Sequence, residues 1–366
     1  WEGRWSLTGG WFLQPDCNIP CGESFARHGL ITQRYFQEKF GTTAKTGYNV
    51  DSFGHNASLP QILKKSGMDH YVFMRPSLEE QGSKEILFLW QSADGTRIPA
   101  YRIPYFYNID MTRPEVFRQI KEKADGLGRD LMAFYGVGNH GGGPTIELLQ
   151  LIEQMEIGET IYSSPDAYFA QMDQTELPVI KGELQHHARG CYSACTFIKK
   201  GNRQCENNVL AAERFCLMGS RLAGSRYPEK KLKKAWKNIL MNQFHDILGG
   251  CAIKKAYEDA AYLYGEVMSI TEQEIHYALQ SIAQKIDTLQ GRKLPGRAQI
   301  PPSYKVGNPD RWMLWETDGI GTPLVVFNPH TRAVRMPVEV NCIVAKVTDE
   351  QGMEIPFQQV RAPFTN

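Results

Sequence analysis

The chain reads as an α/β domain built on a mostly parallel sheet, followed by a three-helix bundle and then the opening of a β region. Three observations predict this. Over residues 1–188 short apolar runs alternate with helical stretches, and over 189–290 apolar residues recur at 3-4 spacing through three long segments. Beyond a stretch rich in Gly, Pro and charge at 291–317, which reads as a linker, the pattern over 318–366 turns to period-two alternation.

In chain order, Ser24 to Phe40 predicts a helix, Tyr48-Asn49-Val50 a strand, Leu59 to Ser66 a second helix and Tyr71-Val72-Phe73-Met74 a second strand. The unbroken apolar run Leu131-Met132-Ala133-Phe134-Tyr135 predicts a further buried strand. It leads into Gly136-Val137-Gly138-Asn139-His140-Gly141-Gly142-Gly143-Pro144-Thr145. That loop lacks the Gly-Lys-Ser/Thr ending of a P-loop and the spacing of a dinucleotide fingerprint, so its glycines are read as allowing close approach to a bound molecule. Three long helices follow at Gln204 to Ala223, Glu229 to Leu248 and Ala252 to Lys285, the second carrying an apolar stripe of Leu232, Ala235, Trp236, Ile239 and Leu240. Strand alternation is predicted from Leu324 to Pro329, over Val334 to Val340 and over Ile343 to Val347.

With 366 residues and 42% hydrophobic content the chain can bury a sizeable core in two or more domains. Lys plus Arg number 41 against 40 for Asp plus Glu, which gives no long-range field for nucleic acid or an anionic membrane and suits a small neutral ligand. Eight cysteines without Cys-x-x-Cys spacing argue against a disulfide scaffold or a zinc knuckle and for a reducing, cytoplasmic compartment. Cys17/Cys21 and Cys191/Cys195 read as unpaired thiols without a role. No apolar run reaches the roughly 18 residues that span a bilayer, and Trp1-Glu2-Gly3-Arg4 is unlike a signal peptide, so a soluble protein is expected.

Two segments concentrate chemistry. Tyr48-Asn49-Val50-Asp51-Ser52-Phe53-Gly54-His55 delivers a carboxylate and an imidazole from a strand into a Gly-containing turn, and Asn242-Gln243-Phe244-His245-Asp246-Ile247-Leu248-Gly249-Gly250 places a second His/Asp pair at the end of a helical pattern. An N-cap aspartate and a helix-end histidine are the plain structural alternatives. Together the two segments point to a metal-assisted carboxylate site.

The segments Gly9-Gly10-Trp11-Phe12-Leu13-Gln14-Pro15-Asp16, Gln33-Arg34-Tyr35-Phe36, Asn49 to His55 and Gln243 to Leu248 occur in the order found in glycoside hydrolase family 38, which the chain resembles from Gly9 to about Pro329. The resemblance implies retaining, zinc-dependent hydrolysis of α-mannosidic bonds on a carbohydrate with a terminal α-mannose, with Asp51 as both nucleophile and zinc ligand. It implies His245 as a second zinc ligand, Asp246 as acceptor for a substrate hydroxyl, Arg75 as the holder of a carboxylate, and Phe53 and Tyr107 as lining of the sugar subsite. His55 is implied as a supporting residue rather than a ligand.

The family's His-x-Asp ligand pair has no counterpart before Asp51, and His28, followed by Gly29 on a helical face, does not replace it. The two remaining ligands are therefore expected outside this chain, upstream of Trp1, in a longer protein that continues into β-sandwich domains. The chain departs from the family at the acid/base, where Gly138-Asn139-His140 stands in place of an aspartate; His140 is the nearest titratable group. A metal-dependent carbohydrate deacetylase and a sugar-binding module without turnover remain as alternatives, and a homo-oligomer is compatible with either.

Overall fold

The computed structural model describes residues 5–80, 85–138, 142–185, 187–288, 323–340 and 344–360. They fall into two units, Trp1–Ile282 and Ala283–Asn366. In the first, the strands β1 (Thr46–Tyr48), β2 (His70–Phe73), β3 (Leu87–Gln91), β4 (Arg97–Arg102) and β5 (Val179–Lys181) form one sheet in the order β1-β2-β4-β3-β5. Every neighbouring pair is parallel except β3 and β4. These two form a hairpin closed at Ser92–Thr96, where Asp94 accepts from the Thr96 N–H at 3.0 Å and from the Ser92 hydroxyl at 2.7 Å, and Gly95 takes φ 87°.

Period-two alternation sorts the sheet's side chains into two cores. Tyr71, Phe73, Phe88, Trp90 and Ala100 pack with Phe25 of α1 (Gly22–Phe40) and with Leu59 and Leu63 of α2 (Leu59–Lys65). Val72, Leu87 and Tyr101 face the other way, toward Phe169 of α5 (Pro165–Gln171). The sheet is therefore covered on both faces, the arrangement that makes its strands continuously apolar. A further core joins Val116, Phe117 and Ile120 of α3 (Glu115–Leu127) to Leu148 and Ile152 of α4 (Ile146–Gln154).

The helices α6 (Thr196–Ala223), α7 (Glu229–Asn242), α8 (His245–Gly249) and α9 (Lys254–Ala283) share a core in which the stripe Leu232, Ala235, Trp236, Ile239 and Leu240 meets Val209, Ala212, Ala260 and Val267. Helices α6 and α9 approach closely at Gly201, where a Cβ would stand 2.7 Å from the Tyr264 ring. Buried Glu206 of α6 accepts from the Cys21 N–H at 2.8 Å, from the Ser24 hydroxyl at 2.7 Å and from the Gln243 amide at 3.0 Å. It thus supplies the carboxylate cap that α1 lacks from its own sequence.

Four expectations about the first unit are corrected. The first strand lies at Thr46–Tyr48, two residues earlier than expected, with Asn49 continuing the pairing through its N–H to the Val72 carbonyl at 3.0 Å. Leu131–Tyr135 is not a ladder: Tyr135 bridges Ile109, while the Met132 carbonyl is taken by the Tyr101 hydroxyl at 2.9 Å. The helix expected over Glu229 to Leu248 breaks at Phe244, because the chain there pairs antiparallel with Pro15, with Asp16 N–H to the Gln243 carbonyl at 2.9 Å and His245 N–H to the Gln14 carbonyl at 3.2 Å. The helix expected from Gln204 begins at Thr196.

Among the described residues of the second unit, one antiparallel bridge joins Thr348 and Glu354 around a turn in which Asp349 accepts from the Gln351 and Met353 N–H groups. No strand forms at 324–329 or over Val334 to Val340, where Val334, Met336, Val338 and Val340 are exposed. Alternation alone makes no strand without a neighbour to receive its backbone bonds. Ile343 lies outside the described residues, and 344–347 forms no strand.

Candidate active site

Asp51 sits just past β1, at the end of the sheet where parallel strands deliver their loops. The backbone around it is pinned almost residue by residue. Asn49 donates to the Pro15 carbonyl at 2.8 Å, the Val50 N–H to the Gln14 side-chain oxygen at 3.1 Å, and the Ser52 hydroxyl accepts from the Cys17 N–H at 2.9 Å. Val50, Ser52 and Gly54 are buried, so the alternation turns Asp51 and Phe53 outward.

The Asp51 carboxylate is 23% exposed and accepts at Oδ1 from Arg75 Nε at 3.3 Å and Nη2 at 3.2 Å. Arg75 follows β2, and its carbonyl is held by His55 Nε2 at 2.8 Å. His55 in turn meets the Tyr71 hydroxyl through Nδ1 at 2.9 Å; burial pushes its pKa down to about 3, so it works as a neutral strut. Tyr107 completes the surround. Its phenol is pushed up to about 12, first by burial and then by its hydrogen bond to Asp51 and that residue's charge, so it stays a donor at physiological pH.

His245 opens α8 and is 6% exposed. Its Nδ1 lies 2.9 Å from the Gln14 carbonyl, which can only accept, so Nδ1 carries a proton and, in the neutral ring, Nε2 carries the lone pair. Asp246 follows with its carboxylate 52% exposed and 3.9 Å from His245 Nε2. Asp246 and Asp51 both raise the Tyr107 phenol, and Arg75 lowers it, so charges from separate parts of the chain converge on one cleft. Gln14 is the common tie, gripping His245 with its carbonyl and the residue before Asp51 with its side chain.

The motifs give several members no role, although Gln14 and Asp16 lie in the motif segment Gly9 to Asp16. Besides Gln14 they include His187, whose ring lies 5.4 Å from that of Phe53 and whose Nε2 is 3.2 Å from Arg75 Nη1. Asp16, buried beside His245, accepts from the Asn18 and Ile19 N–H groups through Oδ1; burial raises its pKa. A cavity of about 360 Å³ opens next to Arg75 and Tyr107, with Glu80, Tyr105, Phe106 and Arg113 on its walls. His140 lies outside the described residues.

A zinc ion is the cofactor that the motifs imply. The lone pair on His245 Nε2 and the Asp51 carboxylate are donors of the right kind. Among the described residues, however, no group of three His, Cys, Asp or Glu could hold a metal, so these residues alone do not make a complete zinc site.

Comparison with known proteins agrees along most of the chain. Residues 1–189 match the glycosyl hydrolases family 38 N-terminal domain, and 186–282 match the alpha mannosidase middle domain. Alpha-mannosidase G of Dictyostelium discoideum is 30% identical over 78% of this chain and 28% of its own length. Alpha-mannosidase 2C1 of Mus musculus is 30% identical over 73% and 27%. The crystal structure of an alpha-mannosidase from Enterococcus faecalis V583 superposes with a TM-score of 0.64 at 21% identity, over 75% of this chain and 34% of that one. The chain thus spans roughly a quarter to a third of the length of these relatives. With the family's N-terminal domain matched over 1–189, more than half of the sequence, the chain belongs to glycosyl hydrolase family 38.

Proposed function

We propose that the chain carries the nucleophile-bearing part of a retaining α-mannosidase. The observation that carries this reading is the Asp51 carboxylate, presented outward at a strand end and held by Arg75 and Tyr107. A retaining glycosidase needs a carboxylate fixed against the anomeric carbon, with a proton donor about 5 Å away on the other side of the bond. Asp51 attacks the anomeric carbon, the glycosidic C–O bond breaks as the leaving oxygen takes a proton, and water later cleaves the glycosyl ester. The two-donor grip of Arg75 orients Asp51, and Tyr107, with its phenol proton retained, steadies the same group. His140 is the proposed proton donor. Asp246, exposed beside His245, is the proposed acceptor for a sugar hydroxyl, with Phe53 as an apolar wall.

On this reading 1–188 is the catalytic domain and 189–290 brings His245 and Asp246 to it, with 291–317 a linker into a β-sandwich. Asp51 and His245 are the proposed protein donors to one zinc ion, whose further ligands come from outside the described residues; the ion would engage the sugar hydroxyls. The seven unpaired cysteines among the described residues support a reducing, cytoplasmic setting. No described helix is long and apolar enough to cross a membrane.

A mechanism-based fluoromannoside, followed by peptide mass spectrometry, tests the assignment. Label on Asp51, lost in Asp51→Ala together with turnover and zinc retention, is the expected result. Label on another residue moves the nucleophile, and release of acetate without glycosidic cleavage favours a deacetylase.

A further inference from the structure

Arg75 has a third contact that the proposed chemistry does not use. Its Nη1 meets His187 Nε2 at 3.2 Å, and His187 Nδ1 meets Glu80 Oε1 at 2.6 Å. Glu80 is itself anchored, its other oxygen accepting from the Ser77 N–H at 2.8 Å. A guanidinium only donates, so Nε2 must be the bare nitrogen and Nδ1 the protonated one. The direction of every proton in the chain is therefore set: Arg75 gives to His187, His187 gives to Glu80. The Phe53 ring packs against the imidazole at 5.4 Å between centroids and limits its rotation.

We propose that Glu80 and His187 form a positioning relay for the nucleophile, fixing the Arg75 fork so that two of its nitrogens stay on Asp51. The proposal rests on the reading of Asp51 as nucleophile and adds two residues that the reading does not need. An arginine fork turns easily about its long stem, and a bond at Nη1 removes that freedom while Nε and Nη2 remain on the carboxylate. The separation of the two partners makes the relay more than local packing: Glu80 and His187 lie 107 residues apart in the chain. The groups facing the ring are Arg75 at one nitrogen, Glu80 at the other, and Phe53 on its surface.

The test compares three proteins on an aryl α-mannoside. His187→Leu should lower kcat by about 10- to 100-fold, the usual loss when the partner of a site residue is removed, with KM little changed. His187→Gln should recover most of that loss, because its amide can accept from Arg75 and donate to Glu80 at once. Equal thermal midpoints for the three separate positioning from folding. Wild-type kcat in His187→Leu, or a His187→Gln no better than His187→Leu, overturns the relay. A wild-type protein inert on all α-mannosides would sink the function instead. The relay would then be decided by ¹⁵N NMR of histidine-labelled protein, where a neutral Nδ1–H tautomer at His187, lost in Arg75→Met, is expected. An Nε2–H tautomer would overturn it.

Discussion

His28 shows how much the free energy of one buried side chain depends on what surrounds it. Fully buried on α1, it touches the Gln243 side-chain oxygen through Nε2 at 3.1 Å, and burial pushes its pKa down to about 3. In the unfolded chain an imidazole titrates near 6.5, so its folded value is depressed. Between roughly pH 6.5 and pH 3 the unfolded state binds a proton that the folded state refuses, and stability is lost as pH falls across that window at about 1.4 kcal/mol per unit. Urea unfolding at pH 7 and pH 5 should show a steeper loss in wild type than in His28→Gln, which keeps a donor for Gln243 but does not titrate. Parallel slopes in the two proteins would show that His28 does not carry the dependence.

At the scale of elements, Glu206 is the residue on which the packing of α1 against α6 turns. Its carboxylate receives three donors from Cys21, Ser24 and Gln243, with Arg203 on the other oxygen at 2.7 Å. Glu206→Ala leaves those donors unmatched in a closed interior, and denaturant unfolding should report a loss of about 3 kcal/mol. A loss below about 1 kcal/mol would mean that water replaces the carboxylate. Such elements were legible in part. The βα alternation was readable because α1, α2 and β2 satisfy local periodicity, and Gly250, at φ 88°, ends α8 where the glycine pair forecast a stop. The hairpin β3–β4 carries its sequence signal in Asp94-Gly95. The break at Phe244 had none, since a partner near Pro15 overrides a helical pattern. For the same reason the motifs assign roles to Asp51, Arg75 and His245, include Gln14 without its role and miss His187, because the parts of these last two are defined by neighbours far along the chain.

For the whole molecule, Gln14 joins pieces that the sequence keeps apart. One carbonyl serves both the main-chain and the ring nitrogen of His245, 231 residues away, while the side chain of the same residue holds Val50, 36 residues away. Each of these contacts closes a long loop, and loop closure of that span comes after local helix formation in time. Competence should therefore be the last property regained when the denatured protein is diluted into buffer. Stopped-flow circular dichroism should recover the helical signal of α6, α7 and α9 first, with binding of an α-mannoside inhibitor appearing in a separate, slower phase. Simultaneous recovery of both would mean that the segments around Gln14 and His245 are already together in the collapsed state. A nascent polypeptide leaving the ribosome would face the same order of events: Asp51 and Arg75 emerge early, yet the cleft stays open and unshaped until the residues around position 245 arrive to close it.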